Sequence, residues 1–131
     1  MAKGLDKHRQ RQDALALLGK TLARRAGSKC ELCETGGQRL LPFEVPPVED
    51  EPDLERTLLL CERCREGAEG GKLGDASTWR FLESVMWSEL AAVQVVSIRL
   101  LRRLAAVQVG WAQSALETVF PSAEVESWLG D

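Results

Sequence analysis

The chain reads as an α+β protein: a small treble-clef or zinc-ribbon-like β-hairpin module, flanked by an N-terminal helix and a C-terminal helical unit. Three observations carry that reading. The only four cysteines form two pairs, Cys30-x-x-Cys33 and Cys61-x-x-Cys64, with 27 residues between the pairs. Two short apolar runs in that interval fit strands separated by a Pro-containing loop. On either side of the module, apolar residues recur at three- and four-residue steps, the period of a helix.

Residues 5–26 fit an amphipathic helix. Leu15, Leu18, Leu22 and Ala26 form its stripe, with Leu17 beside it, and Arg9, Arg11, Lys20, Arg24 and Arg25 decorate the other faces. Gly19 interrupts it mildly, and Gly27-Ser28 ends it just before Cys30. Gly36-Gly37 marks a turn after the first cysteine pair. Leu40 to Val45 follows as a strand, with Pro42 assigning it to an edge and Pro46-Pro47 stopping it. Residues 48–56 are acidic and contain Pro52, the composition of a solvated loop. Thr57 to Leu60 is the second strand and runs straight into Cys61. A helix starting there would hold the second pair at its first turn, where free N–H groups and the dipole favour thiolate over thiol. Gly67, Gly70, Gly71 and Gly74 read as a flexible connector.

All four Trp lie beyond Asp75. Asp75 or Ser77 can cap a helix containing Trp79, Leu82, Val85 and Met86. Residues 89–109 form a longer one, striped by Val93, Val96, Leu100, Leu104 and Val107, with Arg99, Arg102 and Arg103 to one side. The pentad Ala-Ala-Val-Gln-Val occurs at 91–95 and again at 105–109. An offset of about four helical turns would point both copies the same way. Gly110 breaks or bends this helix. Trp111 to Phe120 is a further helix stopped by Pro121, and Ser122 caps a last one ending at Gly130. The segments are therefore 1–29, 30–74 and 75–131, packed together as one domain, with the Trp residues chiefly in the helical unit's own core.

Composition narrows the class. The 131 residues are 44% hydrophobic and 28% charged, with net charge −3. No apolar run approaches the ~18 residues of a membrane span. The opening residues are polar rather than signal-like, so the expectation is a cytoplasmic protein with reduced thiols. Residues 1–29 carry eight Lys or Arg against two acids, and residues 30–75 carry five against twelve. The basic helix over 3–29 could meet nucleic acid, but no aromatic stackers accompany it. The favoured alternative is that it packs against the acidic middle of its own chain or is simply solvated.

Cys30, Cys33, Cys61 and Cys64 are the candidate metal ligands. The two-residue gap within each pair lets both thiolates reach one ion about 2.3 Å away. Zn2+ is the first choice. Iron also takes four sulfurs, though iron knuckles carry Pro and Gly where this chain has Glu, Leu, Thr and Arg. Two disulfides would need an oxidising compartment, and a redox motif needs only one pair. Four protein ligands close a tetrahedron, so the ion is read as structural and not catalytic. No catalytic or other cofactor residues are assigned. The single His8 lies in a polar helix, Tyr is absent, and no phosphate-binding loop is present. Glu49-Asp50-Glu51 reads as a solvated loop, and Arg99, Arg102 and Arg103 as a solvated helix face.

The order of cysteine pair, strand, acidic loop, strand and cysteine pair resembles HNH-type endonucleases with an accessory zinc site. Both histidine positions of that family are empty, since Phe43-Glu44-Val45-Pro46-Pro47 and Arg65-Glu66 stand there. A degenerate scaffold without nuclease chemistry is the most that this resemblance implies. The chain is more similar to the PhnA-like (YjdM) family of alkylphosphonate-operon proteins. The residues that carry the likeness are Ser28-Lys29-Cys30-Glu31-Leu32-Cys33, Phe43-Glu44-Val45-Pro46-Pro47 and Leu59-Leu60-Cys61-Glu62-Arg63-Cys64. Trp79-Arg80, Met86-Trp87-Ser88-Glu89, Ala92-Val93-Gln94-Val95 and Gly110-Trp111-Ala112-Gln113 continue it in register. The resemblance implies an N-terminal zinc-binding module of the longer proteobacterial type. It also implies a following β-barrel, for which no sequence precedes Asp131. The functional expectation is a non-enzymatic zinc-binding module that contacts protein or nucleic acid. The alternative is an enzyme or accessory factor of alkylphosphonate metabolism.

Overall fold

The computed structural model describes residues 2–130, with side chains over 6–130. Helix α4 (Ala91–Ala106) is the element the others pack around. Every residue from Ala92 to Ile98 is buried, followed by Leu100, Leu101 and Leu104. A helix apolar on more than one face must be covered from more than one side. The cover comes from α3 (Leu82–Val85), α5 (Gly110–Thr118) and α6 (Ala123–Leu129), together with a β-hairpin and helix α2 (Glu62–Ala68). The two polar side chains that α4 buries are satisfied. Gln94 donates to the Met86 carbonyl at 2.6 Å, and Ser97 to the Val93 carbonyl at 2.8 Å.

The hairpin pairs β1 (Leu40–Glu44) with β2 (Thr57–Cys61), antiparallel, in the register Leu40↔Cys61, Pro42↔Leu59 and Glu44↔Thr57. Each strand of a two-stranded sheet has an open edge, so β1 tolerates Pro42. All five residues of β2 are buried, since α1, α2 and α4 all touch it. The intervening acidic loop contains a single 3-10 turn, Leu54–Arg56, where the Asp53 carboxylate accepts from the Glu55 N–H.

Helix α1 (Ala2–Ala26) crosses the hairpin with Leu22 fully buried and Leu15 and Leu18 half-buried. The favoured reading of its charge holds for two arginines. Arg11 grips Glu44 with two bonds of 2.7 and 2.6 Å and reaches the carbonyls of Glu49 and Asp50. Arg25 does the same with Glu31. Arg9, Lys20 and Arg24 stay exposed. One hydrophobic cluster runs from Cys30 through the hairpin to Trp128.

Three expectations need correction. The glycine-rich stretch is not a loose connector. Gly67 lies within α2, buried, where a Cβ would stand 2.8 Å from Trp79 Cη2. Arg103 reaches across from α4 and donates to the Gly67 and Gly71 carbonyls at 2.7 and 2.6 Å. The long helix ends early, at Ala106. Gln108 takes a left-handed φ of 66°, and Gly110 opens α5 rather than breaking α4. The second Ala-Ala-Val-Gln-Val copy therefore spans a chain reversal, and Val107 is 70% exposed. The Trp79 segment is not one helix but a 3-10 turn, Ala76–Trp79, followed by the single turn α3. Asp75 caps the first of these as expected. Ser122 caps α6, and Gly130 ends it at φ 80°. Among the described residues, no helix is long and apolar enough to cross a membrane.

Candidate metal centre

The first cysteine pair sits in a tight loop immediately after α1. Gly27 and Ser28 both take positive φ, so the chain leaves the helix sharply. Lys29 then pairs with Gly36 in an isolated bridge. Inside that bridge the Cys30 N–H donates to the Thr35 carbonyl at 3.1 Å, and the Glu34 N–H to the Cys30 carbonyl at 2.9 Å. The second pair forms differently. Cys61 is the last residue of β2, with ψ 163°, and the next residue begins α2, whose first turn carries Cys64.

Two contacts set these loops against each other. The Glu31 N–H donates to the Leu59 carbonyl at 2.9 Å, which adds the first loop to the side of β2. The Glu31 carboxylate accepts from the Leu59 N–H at 2.8 Å and from Arg25 at 2.7 and 2.9 Å. Arg25 also donates to the carbonyls of Leu54 and Thr57. The last turn of α1, the first knuckle and the second strand are thus joined at one side chain. Trp79 supports the far side. Its ring fills the space above Gly67, its N–H donates to the Leu73 carbonyl at 2.7 Å, and Arg63 of α2 stacks on it at 4.2 Å.

The result is convergence of all four sulfurs. Each Sγ lies within 4.8 Å of the others, and Cys33 Sγ is 3.9 Å from Cys61 Sγ. A disulfide would need ~2.05 Å, and all four cysteines are free. In a tetrahedron with metal–sulfur bonds of ~2.3 Å, neighbouring sulfurs stand about 3.8 Å apart. The observed spacing fits that edge. Cys30, Cys61 and Cys64 are buried, and Cys33 is half-buried at the rim, beside the Thr35 hydroxyl.

The electrostatics point the same way. A hydrogen bond from Cys64 holds the Cys30 thiol down to about 4. The same bond, with burial and the neighbouring sulfurs, pushes Cys64 far above the ordinary thiol range. Burial pushes Cys61 up, and the charges on Cys30 and Cys33 add to it. Four thiolates do not ionise together in this volume unaided. A cation at their centre removes that conflict, because it stabilises every ionised sulfur at once. Donor set, spacing and burial all fit one metal ion.

The remaining chemistry-bearing residues are dispersed. His8 lines an open groove at the start of α1 with Lys7, Arg11 and Glu49-Asp50-Glu51. Among the described residues, the four cysteines are the only group of three or more His, Cys, Asp or Glu placed to share an ion. Two of the three arginines expected on a solvated face have inward work. Arg99 donates to the Pro46 carbonyl at 2.6 Å and the Trp128 carbonyl at 3.3 Å, and Arg103 holds the end of α2. Sequence reasoning named the four cysteines that converge here and missed Glu31 and Arg25. The only signal was a glutamate inside the first Cys-x-x-Cys, and its partner is set by the fold.

What fold and site define is a small α+β protein with a closed four-cysteine cluster suited to a single metal ion. No family model matches the chain, and neither a curated protein nor a solved structure does.

Proposed function

We propose that the protein is a non-enzymatic zinc-binding module whose ion staples the knuckle, hairpin and α2 into a scaffold for macromolecular contact. The convergence of Cys30, Cys33, Cys61 and Cys64 from two distant loops carries this reading. Sulfur-only, tetrahedral spacing suits zinc, with iron the other common ion such a site takes. Four protein ligands leave no position for water or substrate, so the ion's part is structural. Kinship with PhnA-like proteins is part of the proposal. It is supported by motifs that surround the metal ligands here: Glu31 fixes the first loop, and Pro46 receives Arg99 and Trp128.

Zinc in thiolate sites contributes on the order of 10–16 kcal/mol in peptide models, enough to decide whether a small hairpin folds. The test is elemental analysis of purified protein, followed by chelation under amide-resolved NMR. One zinc per chain, with loss of dispersion over residues 28–66 on chelation, supports the proposal. Stoichiometric iron, or unchanged amide shifts in metal-free protein, overturns it. Release of phosphate from alkylphosphonates by the purified protein would replace it with an enzymatic one.

A further inference from the structure

The four sulfurs of the cluster are not equally placed. Cys30, Cys61 and Cys64 are 1%, 2% and 0% exposed, while Cys33 is half-buried. The residues that follow Cys33, from Glu34 to Arg39, are all exposed, so this side of the knuckle faces water. Cys33 Sγ stands 3.9 Å from Cys61 Sγ. The two loops are also held together by bonds that need no ion. The Glu31 N–H donates to the Leu59 carbonyl at 2.9 Å, and the Leu59 N–H to the Glu31 carboxylate at 2.8 Å. Glu31 lies two residues before Cys33, and Leu59 two before Cys61. These bonds therefore fix the backbone from which both sulfurs project.

We propose that Cys33 is a modification site, the point at which a hydroperoxide oxidises the cluster, and that Cys61 resolves it into a disulfide. The inference rests on the metal reading, because metal-bound cysteines are thiolates and the thiolate is the form that attacks a peroxide. Access selects Cys33, since the other three sulfurs are closed to solvent. An accessible thiolate beside a second one is the arrangement that oxidises reversibly. In the first step the Cys33 thiolate attacks one peroxide oxygen. The O–O bond breaks, the sulfur becomes a sulfenic acid, and the other oxygen leaves with a proton as water or an alcohol. In the second step the Cys61 thiolate attacks the Cys33 sulfur. The S–S bond forms, the S–O bond breaks, and hydroxide takes a proton and leaves as water. Two thiolates have lost two electrons, and the hydroperoxide has gained them. Cys30 and Cys64 are then the only ligands left, too few to retain zinc. The Glu31 bonds keep the knuckle in place, so a thiol reductant and fresh zinc restore the site.

The experiment treats the zinc-loaded full chain with one equivalent of hydrogen peroxide, follows zinc release with a chromogenic chelator and maps the unreduced tryptic peptides. Cleavage separates residues 30–39, 57–63 and 64–65, so a bond to Cys61 is distinguished by mass from one to Cys64. The expected result is a Cys33–Cys61 disulfide, located by fragmentation, that forms in step with zinc release and is reversed by dithiothreitol. Brief iodoacetamide treatment of the native chain, which needs no variant, should label Cys33 at least about tenfold faster than the other three. Cys33→His keeps a metal donor at the rim and removes the oxidisable sulfur, so it should retain zinc and slow its release by peroxide at least about tenfold. Zinc content and the circular dichroism spectrum are read before peroxide is added, so failure of the metal reading is seen separately. A first label on another cysteine overturns the proposal. So does any disulfide other than Cys33–Cys61, the absence of one, or zinc release from Cys33→His at the native rate.

Discussion

Arg25 and Glu31 form a two-pronged ion pair at 2.7 and 2.9 Å whose carboxylate also accepts from the backbone of β2. The Glu31 side chain is 4% exposed and that of Arg25 21%. It therefore works away from solvent screening, and it links three elements that each touch the metal loops.

Removing one partner should be costly. Glu31→Ala leaves the Arg25 guanidinium without its carboxylate and the Leu59 N–H without an acceptor. Breaking a buried pair in this way costs about 3 kcal/mol. Urea unfolding at saturating zinc should show that loss, with weaker zinc retention in a chelator competition. An unchanged midpoint would show that the backbone bridge from Glu31 to Leu59 suffices by itself.

Two glycines should respond oppositely to the same substitution. Both lie in helices, where Ala is favoured by about 1 kcal/mol. Gly19 in α1 has nothing within 4 Å of the added Cβ, so Gly19→Ala should stabilise by that amount. Gly67 meets Trp79 at 2.8 Å and Leu73 at 3.1 Å. Overpacking of about 1–3 kcal/mol should outweigh the propensity there, and displacement of α2 should disturb Cys64. Thermal melts of the two variants decide the matter, and a stabilised Gly67→Ala would show that Trp79 yields.

Trp128 ties the last helix to the hairpin. Its indole N–H donates to the Pro46 carbonyl at 2.9 Å, across 82 positions, and Arg56 stacks on its ring at 4.4 Å. Trp128→Phe keeps most of the packing and loses one hydrogen bond, while Arg99 still serves the same carbonyl. The expected loss is about 1 kcal/mol. Trp128→Ala empties a buried site and should cost about 3–5 kcal/mol. Equal losses in calorimetry would contradict the separation of ring from donor.

The Asp75 cap predicts a pH effect of definite sign. Hydrogen bonds from the Ser77 N–H and hydroxyl hold its carboxyl below the usual range. A carboxyl depressed by folding lends stability above its unfolded value and loses it as pH falls through the folded one. The advantage of the native chain over Asp75→Asn should thus be present at pH 6 and fade on acidification, as the lowered Asp75 carboxyl takes up its proton. A difference independent of pH would mean that the amide caps as well as the carboxylate.

The sequence by itself determined the elements that rest on local rules. Two Cys-x-x-Cys pairs named the four cysteines that cluster, because two-residue spacing is a property of the loop alone. Two short apolar runs gave the hairpin, and Asp75 and Ser122 announced their helical turns through the chemistry of a cap. Tertiary structure decided what depends on partners far along the chain. That Arg25, Arg99 and Arg103 serve backbone carbonyls and a carboxylate follows from where α1 and α4 come to lie. Gly67 marks a point of close packing because Trp79 returns to it, not because the chain bends there. Val107 is outside because α4 stops at Ala106, although its periodicity matches the buried stripe. Spacing along a chain fixes which side chains can share a face, while only packing fixes what that face meets.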